Sequence, residues 1–255
     1  MKLNSIQKKI ILKNRFAFLS VLLFVYILLF EFILPVNKIL PKPSLLLDSI
    51  PVLFSEYNLL SEMAITTSII YLAIAIGFLF VWMLSFSLAT IVNRNIGLFN
   101  NLRLFKNFPA FFFAILFAFW FDGSVFAELL FTTIVSTFFI SISFMNSAIT
   151  LPTEYKDAAK SLMIEKKEFH NNITWKYSLP KMFDELHRLH YYLWVLVLIF
   201  EFVSALNGFG SIYKLALNYN DLSVIILLGI IIALLIWLGN SIIDFIEKKL
   251  IFWKA

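Results

Sequence analysis

The sequence predicts an all-α integral membrane protein with six transmembrane helices. Hydrophobic residues make up 61% of its 255 residues and charged residues only 15%, whereas a soluble domain is roughly a quarter charged. Mean hydropathy is +0.88. The apolar residues fall into runs matching a hydrocarbon core about 30 Å thick, and helices satisfy their backbone groups internally there. The basic residues lie between those runs, mostly on alternate sides of them.

A window of about 19 residues places the spans in order. The first runs from Phe16 to Leu34, the second from Ala64 to Val92 with Gly77 inside it. The third, Phe105 to Phe121, is short and forms a tight hairpin with the fourth, Phe126 to Ile149, turning at Asp122-Gly123-Ser124. The fifth covers Leu189 to Leu206 and the sixth Leu222 to Ile246. Residues 1–34 thus form a basic N-terminus and first span, and 35–255 a core of five spans with a polar loop at 152–181. The first apolar run is too long for a signal peptide, and Glu31-Phe32-Ile33-Leu34-Pro35 offers no small-residue cleavage site, so it is read as retained.

Of the 21 lysines and arginines, only Lys38, Lys42 and Lys214 fall on one side of this arrangement. The excess on the other side puts both termini and the polar loop in the cytoplasm. The net charge of +5 does not imply a nucleic-acid partner, because the cations are dispersed among membrane runs and suit anionic lipid headgroups. The lack of cysteine excludes disulfides, thiolate metal sites and a cysteine nucleophile. No G-x-x-x-x-G-K-[ST] loop is present, so nothing in the chain cradles ATP phosphates.

The stretch from Pro152 to Pro180 is a polar island. Tyr155, Ala158, Ala159 and Leu162 share one face of a short helix, and Phe169, Ile173 and Tyr177 one face of a second. The second helix is expected to end at Leu179-Pro180, since proline disfavours helical geometry in the residue before it. Two readings fit this pattern: a docking face for a soluble partner, or a hairpin lying on the headgroups with its lysines snorkelling.

Asp157-Ala158-Ala159, followed by Leu179-Pro180, resembles the EAA loop of permease subunits of bacterial binding-protein-dependent ABC importers. Leu40-Pro41-Lys42-Pro43-Ser44, Phe108-Pro109, Phe119-Trp120-Phe121, Trp194 with Glu201, and Gly208-Phe209-Gly210 resemble ordered motifs of the nitrate, sulfonate and taurine permease group. The resemblance spans residues 40–253 and implies a type I importer fold in the bacterial inner membrane. Its partners would be a second permease subunit, the same or related, a cytoplasmic ATPase dimer, and a periplasmic or lipid-anchored binding protein. ATP and magnesium would bind the ATPase, with no cofactor or metal in this chain. Tyr155, Lys156, Asp157, Ala158, Ala159, Lys160, Leu162, Met163, Leu179 and Pro180 would then couple to the ATPase, and Glu201, Trp194, Ser143 and Asn146 are candidates for the pathway or its gating.

The chain departs from this pattern at three places. Met163 stands where relatives carry glycine at the turn between the loop helices. A non-glycine residue at positive φ costs roughly 1–2 kcal/mol, which leaves open a loop that turns differently. Asp122 also replaces a common glycine, and Pro180 to Trp194 is about one turn short, with Glu185-Leu186-His187-Arg188 in place of the more usual glycine-leucine-arginine. A non-transporting or partly degenerate scaffold, or one half of a heterodimeric permease, therefore stands as the alternative.

Of the acids nearest hydrocarbon, Glu31 and Glu128 are read as solvated at span ends, and Glu201 as either solvated or an interhelical partner. His187 and His190, three apart, are read as packing residues, as is the isolated His170. Ser85, Ser87, Ser141, Ser143, Asn146 and Ser147 are read chiefly as interhelical hydrogen-bond partners.

Overall fold

The computed structural model describes residues 14, 17–18, 20–34 and 40–253. Every regular element among them is a helix: α1 (Ser20–Ile33), α2 (Pro43–Ser55), α3 (Leu59–Arg94), α4 (Ile96–Leu104), α5 (Ala110–Trp120), α6 (Val125–Ile149), α7 (Thr153–Ser161), α8 (Lys166–Phe169), α9 (Trp175–Ser204), α10 (Gly208–Asn218) and α11 (Leu222–Leu250). The basic residues Lys2, Lys8, Lys9, Lys13 and Arg15 and the start of the expected first span at Phe16 lie outside the described residues, as does Lys38.

The chain divides into two compact units. The smaller holds residues up to 58 together with 216–230. Within it, Pro43 opens α2 at a position where its missing N–H costs nothing. The Glu31 carboxylate accepts from the Ser44 N–H at 3.2 Å and from its hydroxyl at 3.0 Å, meeting the positive end of the α2 dipole. Glu31 is thus a helix-capping partner as well as a half-exposed acid.

The larger unit, residues 59–215 and 231–255, is built on α3, α5, α6 and α9. α3 packs along α6, and α6 and α5 along α9. Ile70, Ala73 and Val81 of α3, Phe144 of α6, and Leu193, Leu196 and Phe200 of α9 are almost wholly buried. Gly77 lets α3 and α6 approach closely: a Cβ there would lie 2.6 Å from Ser136 Oγ and 3.0 Å from the Thr137 backbone nitrogen. Phe111, Phe112 and Phe113 are exposed on α5, an apolar surface that suits lipid.

Four helical stretches are long and apolar enough to cross a membrane: α3, α6, residues Lys166–Ser204 and α11. A fifth is reached if the bent pair Phe99–Asn107 and Ala110–Trp120 counts as one span. Of the expected first span only the 14 residues from Ser20 to Ile33 form a described helix, shorter than the other spans. The expected third span, Phe105 to Phe121, is corrected. The two pieces meet at 78°, because Pro109 has no N–H to give and forces Phe108 into an extended conformation, ψ 136°. α5 alone rises about 17 Å, half a hydrocarbon core. The hairpin to α6 turns where expected, with Asp122 and Gly123 both at positive φ and Ser124 capping α6 by accepting from the Ala127 N–H at 3.1 Å.

The expected helix end at Leu179-Pro180 is also corrected. Helical geometry runs without a stop from Lys166 to Ser204, widened at His170–Thr174, with Pro180 inside α9. The fifth span therefore begins more than twenty residues before Leu189, its hydropathy-based start. Burial explains it: Ser178, Leu179, Met182 and Phe183 are packed against the core, and tertiary contact outweighs the local preference of one proline.

Candidate functional site

The polar loop is a helix, a tight turn and a second helix. α7 ends in a Schellman arrangement: the Ile164 N–H reaches the Ala159 carbonyl at 3.0 Å and the Met163 N–H the Lys160 carbonyl at 3.1 Å. That pattern requires a left-handed residue, and Met163 takes it, φ 53°. The turn thus takes a backbone conformation that glycine adopts without steric cost and that methionine adopts against it. Tyr177 donates its hydroxyl proton to the Thr150 carbonyl at 3.2 Å, and Lys181 donates to the Thr150 hydroxyl at 2.7 Å, fixing the root of α7 to α9.

Of the four residues expected on one docking face, three are exposed and one is not. Ala159 is buried against the rest of the unit, while Tyr155, Ala158, Leu162 and Met163 are exposed. Lys160 pairs with Asp157 at 3.2 Å on the solvent side, and Lys156 is half-buried. Leu179 and Pro180 lie within α9 and contribute to its packed face rather than to a free loop.

Glu201 sits at the far end of α9 from this loop, fully buried. It accepts from the Thr66 hydroxyl at 2.5 Å and from the Gly210 N–H at 2.9 Å. Thr66 Oγ1 in turn accepts from the Phe209 N–H at 3.0 Å, and the Glu62 carboxylate accepts from the Gly208 N–H. Two acids and a threonine thus meet the first backbone N–H groups of α10, which a helix leaves unpaired. Gly208 has φ 81°, and a side chain there would run into the Glu201 carboxyl. Glu128, expected to be solvated, is instead buried, with Oε1 unpartnered among the described residues. It lies in the first turn of α6, which Ser124 caps, and the packing of that helix carries it inward.

Trp194 is also fully buried. Its indole N–H donates to His190 Nε2 at 3.0 Å, which leaves Nδ1–H of His190 to donate to Asn240 Oδ1 at 3.1 Å. The ring links α9 to α11, and Tyr71 of α3 stacks on it. His187 approaches Asp244 at 3.2 Å and Glu247 at 3.8 Å. Their ligand atoms lie within 4.8 Å of one another, a spacing that would admit a metal ion. Asn240, Asp244 and Glu247 were not singled out in the sequence. Their recurrence at i, i+4 and i+7 in an otherwise apolar helix was the available signal.

Ser143 and Asn146 belong elsewhere. Ser143 donates to the Lys181 carbonyl at 3.2 Å near the loop end of α6, and Asn146 is exposed one turn further. Lys181 and Glu201 are twenty residues apart on one helix, roughly 30 Å. The four pathway candidates therefore fall into a buried pair, Trp194 and Glu201, and a separate pair at the opposite end.

This arrangement, a bundle of long apolar helices carrying a polar helix-turn-helix between two of them, is that of a multi-pass membrane protein. The model of the family described as binding-protein-dependent transport system inner membrane component matches residues 97–251, more than half of the chain, and the chain belongs to that family. It is a permease subunit of an ABC importer. No curated protein and no solved structure matches it significantly.

Proposed function

We propose that the chain forms part of the translocation pathway for a small solute and couples to a cytoplasmic ATPase through residues 152–181. The observation that carries this reading is α7: a short, firmly terminated helix that exposes Tyr155, Ala158, Leu162 and Met163 while Ala159 anchors it from behind. Small and apolar groups ringed by Lys156, Asp157 and Lys160 suit the apolar core and polar rim of a protein interface. α8 and α9 continue from the turn as one helical stretch into the membrane, so a push on α7 is passed to the bundle as a rigid-body motion. ATP and magnesium belong to the partner, the polar loop and both termini face the cytoplasm, and a sixth span is completed by the first apolar segment. A second permease chain and a substrate-binding protein complete the assembly, with the nitrate, sulfonate and taurine permeases as the nearest group by motif.

The test is an Ala158→Arg variant in the assembled importer. Uptake is expected to fall at least tenfold while membrane insertion and assembly of the permease persist. Unchanged uptake by a stably inserted variant would remove the coupling assignment, and absence of uptake by the unaltered chain with its ATPase and binding protein would favour a non-transporting scaffold.

A further inference from the structure

The last turns of α3 and the α7–α8 turn enclose a cavity of about 480 Å³. Four cations stand on its wall, Arg94, Lys156, Lys160 and Lys166, and no acidic residue does among the described residues. Only Lys160 has a carboxylate partner, Asp157. Arg94, Lys156 and Lys166 enter no ion pair among the described residues. Gathering like charges around a concave space raises the local potential and is relieved by an anion. Thr90 and Asn93 add hydrogen-bonding groups from α3, and Phe86 and Phe169 supply an apolar flank.

A second, independent feature is His170. It lines the same cavity yet is only 4% exposed, and its Nδ1 has no partner. His170 Nε2 lies 2.9 Å from Ser85 Oγ, while Nδ1 is a buried polar atom without a partner among the described residues, a state that native structures seldom keep.

We infer that this pocket binds a phosphate group, its oxygens met by Arg94, Lys156 and Lys166. A phosphatidylglycerol headgroup satisfies this, with its acyl chains along Phe86 and Phe169. Free hydrogen phosphate satisfies the polar part alone. Nothing in the inference depends on coupling to an ATPase.

The experiment uses the purified full chain in detergent, titrated with phosphatidylglycerol, with phosphatidylcholine and with inorganic phosphate, read by native mass spectrometry and by ³¹P NMR. Arg94 and Lys166 are exposed, so Arg94→Ala/Lys166→Ala is expected to fold and to weaken binding at least tenfold, with Lys166→Arg retaining it. Binding of phosphatidylglycerol alone identifies a lipid site, and comparable binding of inorganic phosphate a soluble-anion site. Failure of both probes to bind, or binding that the double variant leaves unchanged, overturns the inference.

Discussion

The Thr66 hydroxyl donates to the Glu201 carboxylate at 2.5 Å across 135 positions of sequence. This bond joins α3 to α9, and through the Phe209 and Gly210 N–H groups it also fixes the start of α10. A threonine hydroxyl has one proton, so donation to Glu201 at 2.5 Å prevails over the Glu62 carbonyl at 3.2 Å, and the same oxygen remains free to accept from the Phe209 N–H.

Thr66→Val keeps the shape and removes both bonds, leaving the Phe209 N–H and a Glu201 oxygen unmet in a buried place. A loss of about 2–3 kcal/mol is expected, measured by denaturant unfolding in detergent. Stability equal to that of the unaltered chain would show that the clasp contributes nothing net.

Met163 occupies a left-handed conformation with its side chain 91% exposed, so no packing offsets the backbone cost. Met163→Gly is expected to relieve roughly 1 kcal/mol of strain, partly offset by glycine's greater freedom in the unfolded chain. Amide hydrogen exchange over residues 158–164 should slow in the variant; faster exchange would contradict the strain argument.

The neighbours Ala158 and Ala159 are expected to respond oppositely to enlargement. Ala159→Leu overfills a packed position and should cost about 1–3 kcal/mol, whereas Ala158→Leu, on the open side of α7, should leave the melting temperature within error. Equal destabilisation by the two would mean that α7 is rotated from the orientation described.

Gly77→Ala places a methyl group against Ser136 and the Thr137 backbone. Destabilisation of about 1–3 kcal/mol is expected. Adding Ser136→Ala should restore only part of it, because the backbone contact remains. Full restoration would locate the whole conflict in the Ser136 hydroxyl.

Much of the bundle was legible because hydrocarbon imposes a simple rule on long apolar runs, and α3, α6 and α11 begin within five residues of their expected starts. Hydropathy averages over a window, however, and passes over a single backbone defect. Pro109 therefore escaped notice as a break in the third run, although Phe108-Pro109 is plain in the sequence. Pro180 misled in the opposite direction, because the contacts that carry a helix through a proline come from residues distant in the chain. The position of the polar loop was readable from its charge, but which alanine faces inward was not. Ala158 and Ala159 differ by 100° around a helix, and only the packing beneath α7 separates them. Glu128 and Glu201 were visible as acids in apolar surroundings, while the backbone N–H groups that receive Glu201 belong to α10, which no hydropathy window reports as a partner.

The uninterrupted stretch from Lys166 to Ser204 has 39 residues, a rod of roughly 58 Å set against about 30 Å of hydrocarbon. Almost half of its length must project into water or headgroups, so it works as an axle longer than the wall it pierces. Between its two ends lie the widened turn at His170–Thr174 and Pro180, the two places where such a rod bends most readily. The compliance of those two points, more than any contact at either end, sets how much of a displacement at Lys166 reaches Glu201.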